Sequence, residues 1–476
     1  MTDHSRRRWA GTTIWTACLG TLLMTWGLTA PSVGFGQTHT GESSVVVTNV
    51  VLIDGTGTPP QPGMSVLITG GRINAIAASA RMRVPPGATI LDGAGRWLIP
   101  GLVDTHIHLT RMPPPPGEDT LRALEPALRL FLYNGVTTVR DMSGGGVERR
   151  NVALKAAIER GAILGPRLYL SGVASPQNFA RLGASDMRDF ARKLVAFDVD
   201  GIKLLHLPAE DASAVIEEVR RISALPVYGH TFHLTADSLS IYTSGAARAG
   251  LAGVVHVEGI APVPLAQRPG PPSVPKTDIS AWWLYHSTLW SHADDASMNE
   301  LIALMVRGDI WLEPTLVTTH FQAYTDRYAD HPYNRLLPIP FARWSFTGLE
   351  LEGESGERYR AAFERMKTFV HRFHIAGGLL VTGTDSRPVP GFGVHDELRL
   401  LVEAGLSPMA SLQAATINSA RALGWQDRIG TVEVGKVADL LVLDGDPLGD
   451  IGNTRRIWRV ILGGRVLDRD ALLQEK

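Results

Sequence analysis

An alternation of short apolar runs with helical patterns, between residues 99 and 424, limits the possible folds more than any other feature. Residues 201–204, for example, form an apolar run, and residues 212–223 follow it with apolar side chains at helical spacing. Strands that alternate with helices predict a parallel sheet, because each parallel strand needs a crossover to reach the next. About eight such units predict a (β/α)8 barrel, with insertions expected near residues 261–276 and 320–357.

The regions on both sides of this barrel are rich in predicted strands. Residues 45–98 and 425–470 contain β-branched runs, such as Val45-Val46-Val47, separated by Gly, Pro and Asp turns. Such runs are typical of short strands. Because the two strand-rich segments lie at opposite ends of the chain, we expect them to form one small β-sandwich beside the barrel. The predicted fold class is therefore α/β.

Residues 1–36 have the features of an export signal. Arg6, Arg7 and Arg8 precede a moderately apolar stretch that ends in small residues, and adjacent arginines are typical of a twin-arginine signal. An uncleaved membrane anchor is the alternative, since the stretch approaches the roughly 20 residues that a span needs. We expect an exported protein, periplasmic or secreted, that contacts a membrane only through this segment. The only cysteine, Cys18, lies inside it, so the mature protein would have no disulfide.

The overall charge excludes one class of partner. The formal net charge is −1, and no block of like charge stands out in the body of the chain. Nucleic-acid-binding proteins carry basic patches, so we expect no nucleic-acid partner. Association of identical chains into a homo-oligomer stays open.

The strongest chemical signal is a pair of histidines two residues apart. His106 and His108 follow an apolar run and Pro100, so they lie on or just after a predicted strand. Side chains alternate along a strand, which places Asp104, His106 and His108 on one face. Two imidazoles on one face can bind one divalent cation through their ring nitrogens. The alternative is a pair of hydrogen-bonded histidines that bind no ligand.

Four more polar residues lie at the ends of predicted barrel strands. They are Lys203, His230, His256 and Asp385. The active site of a (β/α)8 barrel lies at the C-terminal ends of its strands, so these side chains are expected near the histidine pair. A lysine that faces the barrel interior must find an opposite charge or change its chemistry. The sequence therefore predicts a metal site at which these residues converge.

Short motifs along residues 45–467 carry a family resemblance. They include Val51-Leu52-Ile53-Asp54-Gly55, Leu98 to His108, Thr137-Thr138-Val139-Arg140-Asp141, Ile202-Lys203, Pro314-Thr315-Leu316, Gly383-Thr384-Asp385-Ser386, His395-Asp396-Glu397-Leu398, Ala415-Thr416 and Ile429 to Leu440. On these motifs the chain resembles the amidohydrolase superfamily, and within it the imidazolonepropionase-like group that includes Xaa-Pro dipeptidase-like enzymes. The motifs are specific for the superfamily and much less specific for a substrate.

The resemblance implies a metal-dependent site with two divalent cations. His106 and His108 would bind the more buried ion together with Asp385. Zinc is the expected ion, although iron, manganese and cobalt also bind histidine and carboxylate ligands. The resemblance also implies that a hydroxide bridging the metals attacks the substrate and that Asp385 is the catalytic proton acceptor. A site with one ion is the alternative.

His230 and His256 would bind the second ion, and Lys203, carboxylated at its Nζ, would bridge the two. A carbamate turns a cation into an anionic ligand with two oxygens, which suits a pair of divalent cations. Residues 230–233 read His-Thr-Phe-His where the family often has His-Ala-His-Gly, and we favour His230 over His233 because it ends the strand. Val255 precedes His256 where the family often has Glu, which leaves the substrate open.

The function that the resemblance implies is hydrolysis of an amide or peptide-type C–N bond in a small molecule. The same centre could instead act as a lactonase or a phosphoesterase, because water activated by a metal attacks phosphorus as well as carbon. A non-catalytic binding protein built on the same barrel is a third alternative.

Other side chains near these motifs have competing interpretations. Arg140 either binds an anionic group of the substrate or pairs with Asp141 or Asp104, and Tyr228 is expected to face away from the metals. Several histidines and tryptophans could line the barrel mouth, although simple packing is the plainer interpretation for each. These are His206, His320, His395, Trp282, Trp283, Trp290 and Trp344.

Overall fold

The computed structural model describes residues 44–111, 121–143, 148–230, 246–270, 279–324, 353–386 and 390–473. The predicted export signal with Cys18 lies outside these residues, as do His233 and Trp344. Parts of the two predicted insertions, residues 271–276 and 325–352, also lie outside them. Among the residues described, no helix combines the length and the apolar character that crossing a membrane requires.

Strands from both ends of the described chain form one eight-stranded sheet, in the order β15-β14-β13-β5-β1-β2-β3 with β4 beside β1. The strands are β1 (Val45–Leu52), β2 (Gln61–Thr69), β3 (Arg72–Ala78), β4 (Thr89–Asp92), β5 (Trp97–Pro100), β13 (Leu440–Leu443), β14 (Ile457–Leu462) and β15 (Arg465–Leu467). The predicted β-domain from the two termini is thus confirmed, as one continuous hydrogen-bonded sheet.

Strand β5 joins the two halves of this sheet. It pairs in parallel with β1 and antiparallel with β13. The β-branched and leucine side chains that predicted these strands form a core of their own, with Val47, Val66, Leu440 and Val442 buried together. Because β5 ends at Pro100, the chain passes from this sheet directly into the first strand of the barrel.

Seven parallel strands form the barrel sheet, each hydrogen-bonded to its neighbour in sequence order. Most of their side chains are buried, because helices cover the outer face and side chains fill the interior. The strands are β6 (Leu102–Ile107), β7 (Val136–Asp141), β8 (Arg167–Ala174), β9 (Gly201–Leu204), β10 (Val227–His230), β11 (Gly253–Val255) and β12 (Trp311–Glu313).

A short extended segment, residues 379–382, takes the eighth position between β12 and β6. Leu380 forms an isolated parallel bridge with Leu312. On the other side, the Thr105 N–H donates to the Thr382 carbonyl at 2.8 Å. These contacts close the ring, and the prediction of a (β/α)8 barrel is confirmed. Asp385 follows this segment, as the other predicted ligands follow or end their strands.

Helices surround the barrel and pack their apolar faces on its strands. The helix predicted at residues 212–223 begins earlier, at Ala209, and the acidic residues Glu210 and Asp211 occupy its first turn, where they are favourable. The helices are α1 (Glu125–Tyr133), α2 (Glu148–Glu159), α3 (Pro176–Arg181), α4 (Met187–Val195), α5 (Ala209–Ile222), α6 (Ala246–Ala249), α7 (Ile279–Thr288), α8 (Asp295–Arg307), α9 (Leu316–Ala323), α10 (Gly353–Ile375), α11 (Phe392–Glu403), α12 (Pro408–Gln413) and α13 (Ser419–Ala422).

A partly buried ion pair links the barrel to the eight-stranded sheet. Arg167, at the start of β8, donates from Nε to Asp439 Oδ2 at 2.6 Å. Asp439 immediately precedes β13, and its Oδ1 accepts from the Gly463 N–H at 2.6 Å. Since the carboxylate ties together the barrel, the start of β13 and the turn after β14, its role in the described structure is to hold these elements in place.

Candidate metal centre

His106 and His108 lie at the C-terminal end of β6, and their rings point to the same side. Their Nε2 atoms are 3.3 Å apart. Asp385 approaches both, with Oδ1 at 3.0 Å from His108 Nε2 and 3.6 Å from His106 Nε2. Ligand atoms around one tetrahedral ion stand about 3.4 Å apart when the bonds are about 2.1 Å long. These three donors are therefore spaced to share one cation.

A second group of donors contains His106 together with His230 and His256. One ring nitrogen from each lies within 4.8 Å of the others, and the rings of His230 and His256 are 4.4 Å apart. His256 follows β11, where its N–H donates to the Glu313 carbonyl at 2.9 Å. Its Nδ1 lies 2.8 Å from Thr315 Oγ1. His106 thus belongs to both groups, which places two potential cation sites side by side.

Lys203 lies on β9 and reaches the same donors, with Nζ 3.1 Å from His106 Nε2. Its side chain is buried. Burial holds the pKa of the His106 and His230 imidazoles well below the usual range, and the nearby Lys203 and His256 lower it further. These two rings are consequently neutral at physiological pH, and a neutral imidazole is the form that binds a metal.

Asp385 occupies an unusual backbone conformation. Its φ is 52° and that of Ser386 is 60°, values that residues other than glycine rarely adopt. Neighbouring hydrogen bonds hold this turn, since Ser386 Oγ accepts from the His108 N–H at 2.9 Å and Ser386 N donates to Thr384 Oγ1 at 3.1 Å. The strained turn places the Asp385 carboxylate beside the histidine pair, and such strain persists where the surrounding structure enforces it.

Asp104 does not join the donor groups, although it precedes His106 by two residues. Its Oδ2 accepts from the Thr384 hydroxyl at 2.7 Å, and its Oδ1 accepts from the backbone N–H of His106 at 3.1 Å. Complete burial raises the pKa of Asp104 to about 7, while the hydrogen bonds from Thr384 and His106 oppose this rise. Asp104 therefore ties the end of β6 to the segment that carries Asp385.

Arg140 pairs with neither of the partners that the sequence suggested. Its Nη2 donates to Glu313 Oε2 at 2.6 Å and its Nε donates to the Thr105 carbonyl at 2.6 Å. Arg140 and Glu313 are both fully buried, so Arg140 is not at a surface that substrate reaches. Glu313 is not among the site residues predicted from the sequence. The rule that identified Lys203, a charged residue at the end of an apolar run, applies equally to Trp311-Leu312-Glu313 and would have found it.

Tyr228 also departs from its prediction. It lies two residues before His230, so the two side chains share one face of β10. The Tyr228 ring lies 4.2 Å from the Arg140 guanidinium, and its hydroxyl is 2.8 Å from Ser171 Oγ. Tyr228 is therefore part of the barrel interior, where it packs on the arginine that contacts Glu313.

Two of the residues considered for the barrel mouth do lie at the donor groups. The ring of Trp283, on α7, is 5.1 Å from that of His256 and 6.4 Å from that of His230. The ring of His206 is 5.9 Å from that of His230, and its backbone has a φ of 57°. Trp283 is half-buried. Both residues are placed where a bound molecule beside the second group would touch them.

The remaining candidates pack elsewhere. His395 Nδ1 lies 2.9 Å from Thr454 Oγ1 and its Nε2 lies 3.0 Å from the Asn134 carbonyl. Trp290 is fully buried and donates its indole N–H to the Val257 carbonyl at 3.0 Å. Other rings surround His320 and Trp282, whose contacts are with Tyr324 and Phe363, and with Tyr285 and His286, respectively.

The six predicted ligands are thus brought together at the C-terminal end of the barrel. The donor groups overlap at His106, and Lys203 reaches the same atom. Three imidazoles in one group, and two with a carboxylate in the other, are nitrogen and oxygen donors of the kind that divalent transition metals prefer. The chemistry of the donors therefore fits divalent cations.

Known proteins similar to this chain include a protein family, an enzyme and a solved structure, and each match covers most of the described barrel. The profile of the amidohydrolase family matches residues 97–262 and 285–467. An imidazolonepropionase from Aromatoleum aromaticum is 28% identical over 391 residues, which cover 79% of this chain and 84% of that enzyme. The solved structure of a protein from Bifidobacterium longum assigned as a prolidase has a TM-score of 0.64 at 24% identity, covering 90% of this chain and 98% of that one.

Adenine deaminases match this chain over smaller shares of their length. Adenine deaminase 3 from Rhizobium meliloti is 22% identical over 397 residues, which cover 80% of this chain and 51% of the deaminase. The matches with other adenine deaminases cover 8% to 14% of those proteins. This chain therefore spans about half the length, or less, of the adenine deaminases that it matches.

Proposed function

This chain belongs to the amidohydrolase family, and from that membership we propose that it is a metal-dependent hydrolase of amide-type C–N bonds in small molecules. The observation that carries the proposal is the overlap of two donor groups at His106. Hydrolases with paired cations need two adjacent sites that share space for one water and one substrate oxygen. The described donors lie at the end of the barrel where such chemistry takes place.

Each donor is proposed to hold one of the two cations. His106, His108 and Asp385 would hold the more buried cation, and His230 with His256 would hold the second. Zinc suits these nitrogen and oxygen donors. When bound, the cations would polarise the substrate carbonyl and lower the pKa of water to near neutrality.

Lys203 is proposed to be carboxylated. Its ammonium would be buried 3.1 Å from an imidazole nitrogen and close to two divalent cations, an arrangement that charge repulsion opposes. Addition of carbon dioxide to the neutral amine forms an N–C bond and releases one proton, which leaves an anionic carbamate. The two carbamate oxygens would balance the charge of the cations and link them.

Asp385 is proposed to move the proton. Its carboxylate lies beside His108 and faces the donor groups, so it can accept a proton from the attacking water and pass it to the leaving nitrogen. The backbone turn at Asp385 and Ser386 keeps this carboxylate in place through the Ser386–His108 hydrogen bond. Trp283 and His206 are proposed to touch the substrate beside the second cation.

The first experiment is metal analysis of the full chain, purified without chelator, followed by a substrate panel. We expect about two divalent ions per chain by plasma mass spectrometry, and hydrolysis of dipeptides or N-acyl amides. Preferential turnover of lactones or phosphotriesters would replace the amide assignment with one of the alternatives. A chain that binds no ion after incubation with zinc and bicarbonate would contradict the metal-dependent function.

Export is a separate proposal. Arg6, Arg7 and Arg8 with the apolar stretch that follows are typical of a twin-arginine signal. Replacement of both Arg6 and Arg7 by Lys should keep the chain inside a bacterial host that otherwise exports it. Continued export of this variant, seen by cell fractionation, would contradict the twin-arginine assignment.

A further inference from the structure

A buried acid lies behind the histidine that both donor groups share. Glu313, the last residue of β12, places Oε1 2.6 Å from His106 Nδ1. Its Oε2 accepts from Arg140 Nη2 at 2.6 Å and from the Thr105 hydroxyl. The side chains of Glu313, His106 and Arg140 have no exposed surface. The carboxylate is therefore closed off from solvent, and it contacts the donor groups through His106.

The contact with Glu313 determines which nitrogen of His106 can bind a metal. A carboxylate only accepts hydrogen bonds, so Nδ1 must carry the hydrogen and Nε2 must carry the lone pair. Nε2 lies 3.3 Å from His108 Nε2 and 3.1 Å from Lys203 Nζ. The hydrogen bond thus turns the lone pair toward the donors, and it also prevents rotation of the ring.

Arg140 is the charge partner of this carboxylate. Burial raises the pKa of Glu313, while the Arg140 guanidinium and the Thr105 hydroxyl oppose this rise. A buried carboxylate without a partner would lose its charge or destabilise the fold. The guanidinium supplies the opposite charge, is held by the Thr105 carbonyl at 2.6 Å, and packs 4.2 Å from the Tyr228 ring and 4.9 Å from the Trp311 ring.

Glu313 touches the second donor group as well, through its backbone. Its carbonyl accepts from the His256 N–H at 2.9 Å, at a residue whose φ of 67° needs external support. A single residue at the end of β12 therefore contacts a ligand from each donor group. Movement of Glu313 would disturb both groups.

We propose that Glu313 and Arg140 are a buried positioning pair, in which Glu313 orients His106 with Nε2 toward the cations and Arg140 holds the Glu313 carboxylate in place. This inference rests on the proposed function and extends it to residues that do not bind metal or substrate. Partners that orient a metal-binding histidine typically contribute about tenfold to 100-fold in metal affinity.

The first test removes the charge of Glu313 alone. Glu313→Gln leaves Arg140 unpaired and weakens the acceptor for His106, so we expect zinc affinity to fall about tenfold to 100-fold in a chelator competition. The d–d absorption spectrum of the cobalt-loaded protein should also change, since it reports the ligand geometry. The matched control is Asp439→Asn, which breaks the partly buried pair with Arg167 and should lower the melting temperature without changing zinc affinity.

A second comparison isolates the acceptor if the single variant does not fold. Arg140→Met/Glu313→Gln removes both charges and keeps an oxygen for His106, whereas Arg140→Met/Glu313→Leu removes the oxygen too. We expect the first double variant to bind zinc at least about tenfold more tightly than the second.

Three results would contradict the positioning role of Glu313 and Arg140. They are unchanged affinity and spectrum in Glu313→Gln, equal zinc binding by the two double variants, or an equal loss of affinity in Asp439→Asn. Each of these leaves the proposed function intact, because the unaltered chain still binds zinc. Failure of the unaltered chain to bind zinc would instead remove the proposed function, and the positioning pair with it.

Discussion

His106 at the barrel mouth and His395 on helix α11 are both buried, yet the structure uses their ring nitrogens differently. Burial holds the pKa of each ring well below its usual range, so both are neutral imidazoles. In His395, one nitrogen contacts the Thr454 hydroxyl and the other the Asn134 carbonyl. In His106, Nδ1 contacts Glu313, while Nε2 faces His108, Lys203 and Asp385.

The difference shows that burial and a lowered pKa do not identify a metal ligand. The distinguishing feature is the partner of the second nitrogen. A carbonyl and a hydroxyl occupy both nitrogens of His395, and the ring links α11 to residue 454 and to the end of α1. At His106, the second nitrogen faces His108, Lys203 and Asp385, which are themselves candidate metal ligands. The four experiments below test this contrast between a functional and a structural region.

The largest effect is expected from Asp385→Asn at the barrel mouth. The amide cannot accept a proton, so kcat should fall by about 10²-fold to 10⁴-fold. One oxygen remains as a ligand, so part of the metal should stay bound. Steady-state kinetics with the best substrate of the panel and metal analysis would measure this. Near-normal turnover in the variant would contradict the proton-transfer role of Asp385.

Substitution of the two histidines tests the contrast directly. His106→Ala removes a proposed ligand of the more buried cation, so the variant should bind at most one ion per chain. His395→Ala should keep two ions but lose about 1–3 kcal/mol of unfolding free energy, because Thr454 and Asn134 lose their partner. Metal analysis and urea unfolding of the metal-free proteins give both quantities. Full metal content in the first variant, or metal loss in the second, would reverse the assignment.

The pH dependence of stability tests the structural region, through the buried acid Glu397. Its oxygens accept from the Leu316 and Val317 N–H groups at the start of α9, and burial raises its pKa to about 8. The folded protein therefore keeps a proton that the unfolded chain releases, so the stability from this group falls as pH rises from about 5 to about 8. Glu397→Gln should flatten this fall in melting temperature. The same dependence of melting temperature on pH in Glu397→Gln and in the unaltered chain would contradict this role of Glu397.

The smallest effect is expected where the mouth would meet substrate. Trp283→Leu should raise KM by about threefold to tenfold for substrates with an apolar group, and leave kcat nearly unchanged, because the lost contact is the same in the ground and transition states. Trp282→Leu is the control, since that neighbour packs on Tyr285 and His286 and should affect melting temperature alone. Equal KM values for the two variants would remove Trp283 from the substrate site.

Much of the fold and most of the candidate site follow from local patterns. The strand–helix alternation predicted the barrel, and the runs at both ends predicted the β-domain that the eight-stranded sheet confirms. Strand ends in a barrel meet at one place, so the positions of Lys203, His230, His256 and Asp385 were enough to predict that they converge. Their metal binding stays a prediction until metal analysis tests it.

One error concerns a partner across the barrel. The sequence leaves Arg140 either to bind an anionic group of the substrate or to pair with Asp141 or Asp104. Its charge partner is instead Glu313, at a separation of 173 positions. Strand periodicity tells which face a side chain occupies, but it does not tell which strands lie opposite. That depends on the relative shift of neighbouring strands as the barrel closes.

The sequence by itself determined the barrel class, the sheet from both termini and the residues that end the strands, because these follow from spacing within a few turns of chain. Only the tertiary structure decided which nitrogen of His106 faces the other donors. That choice depends on Glu313, which is 207 positions away, and on Arg140, which balances its charge. Both contacts exist only once β6, β7 and β12 close around one interior, and no local pattern encodes that closure.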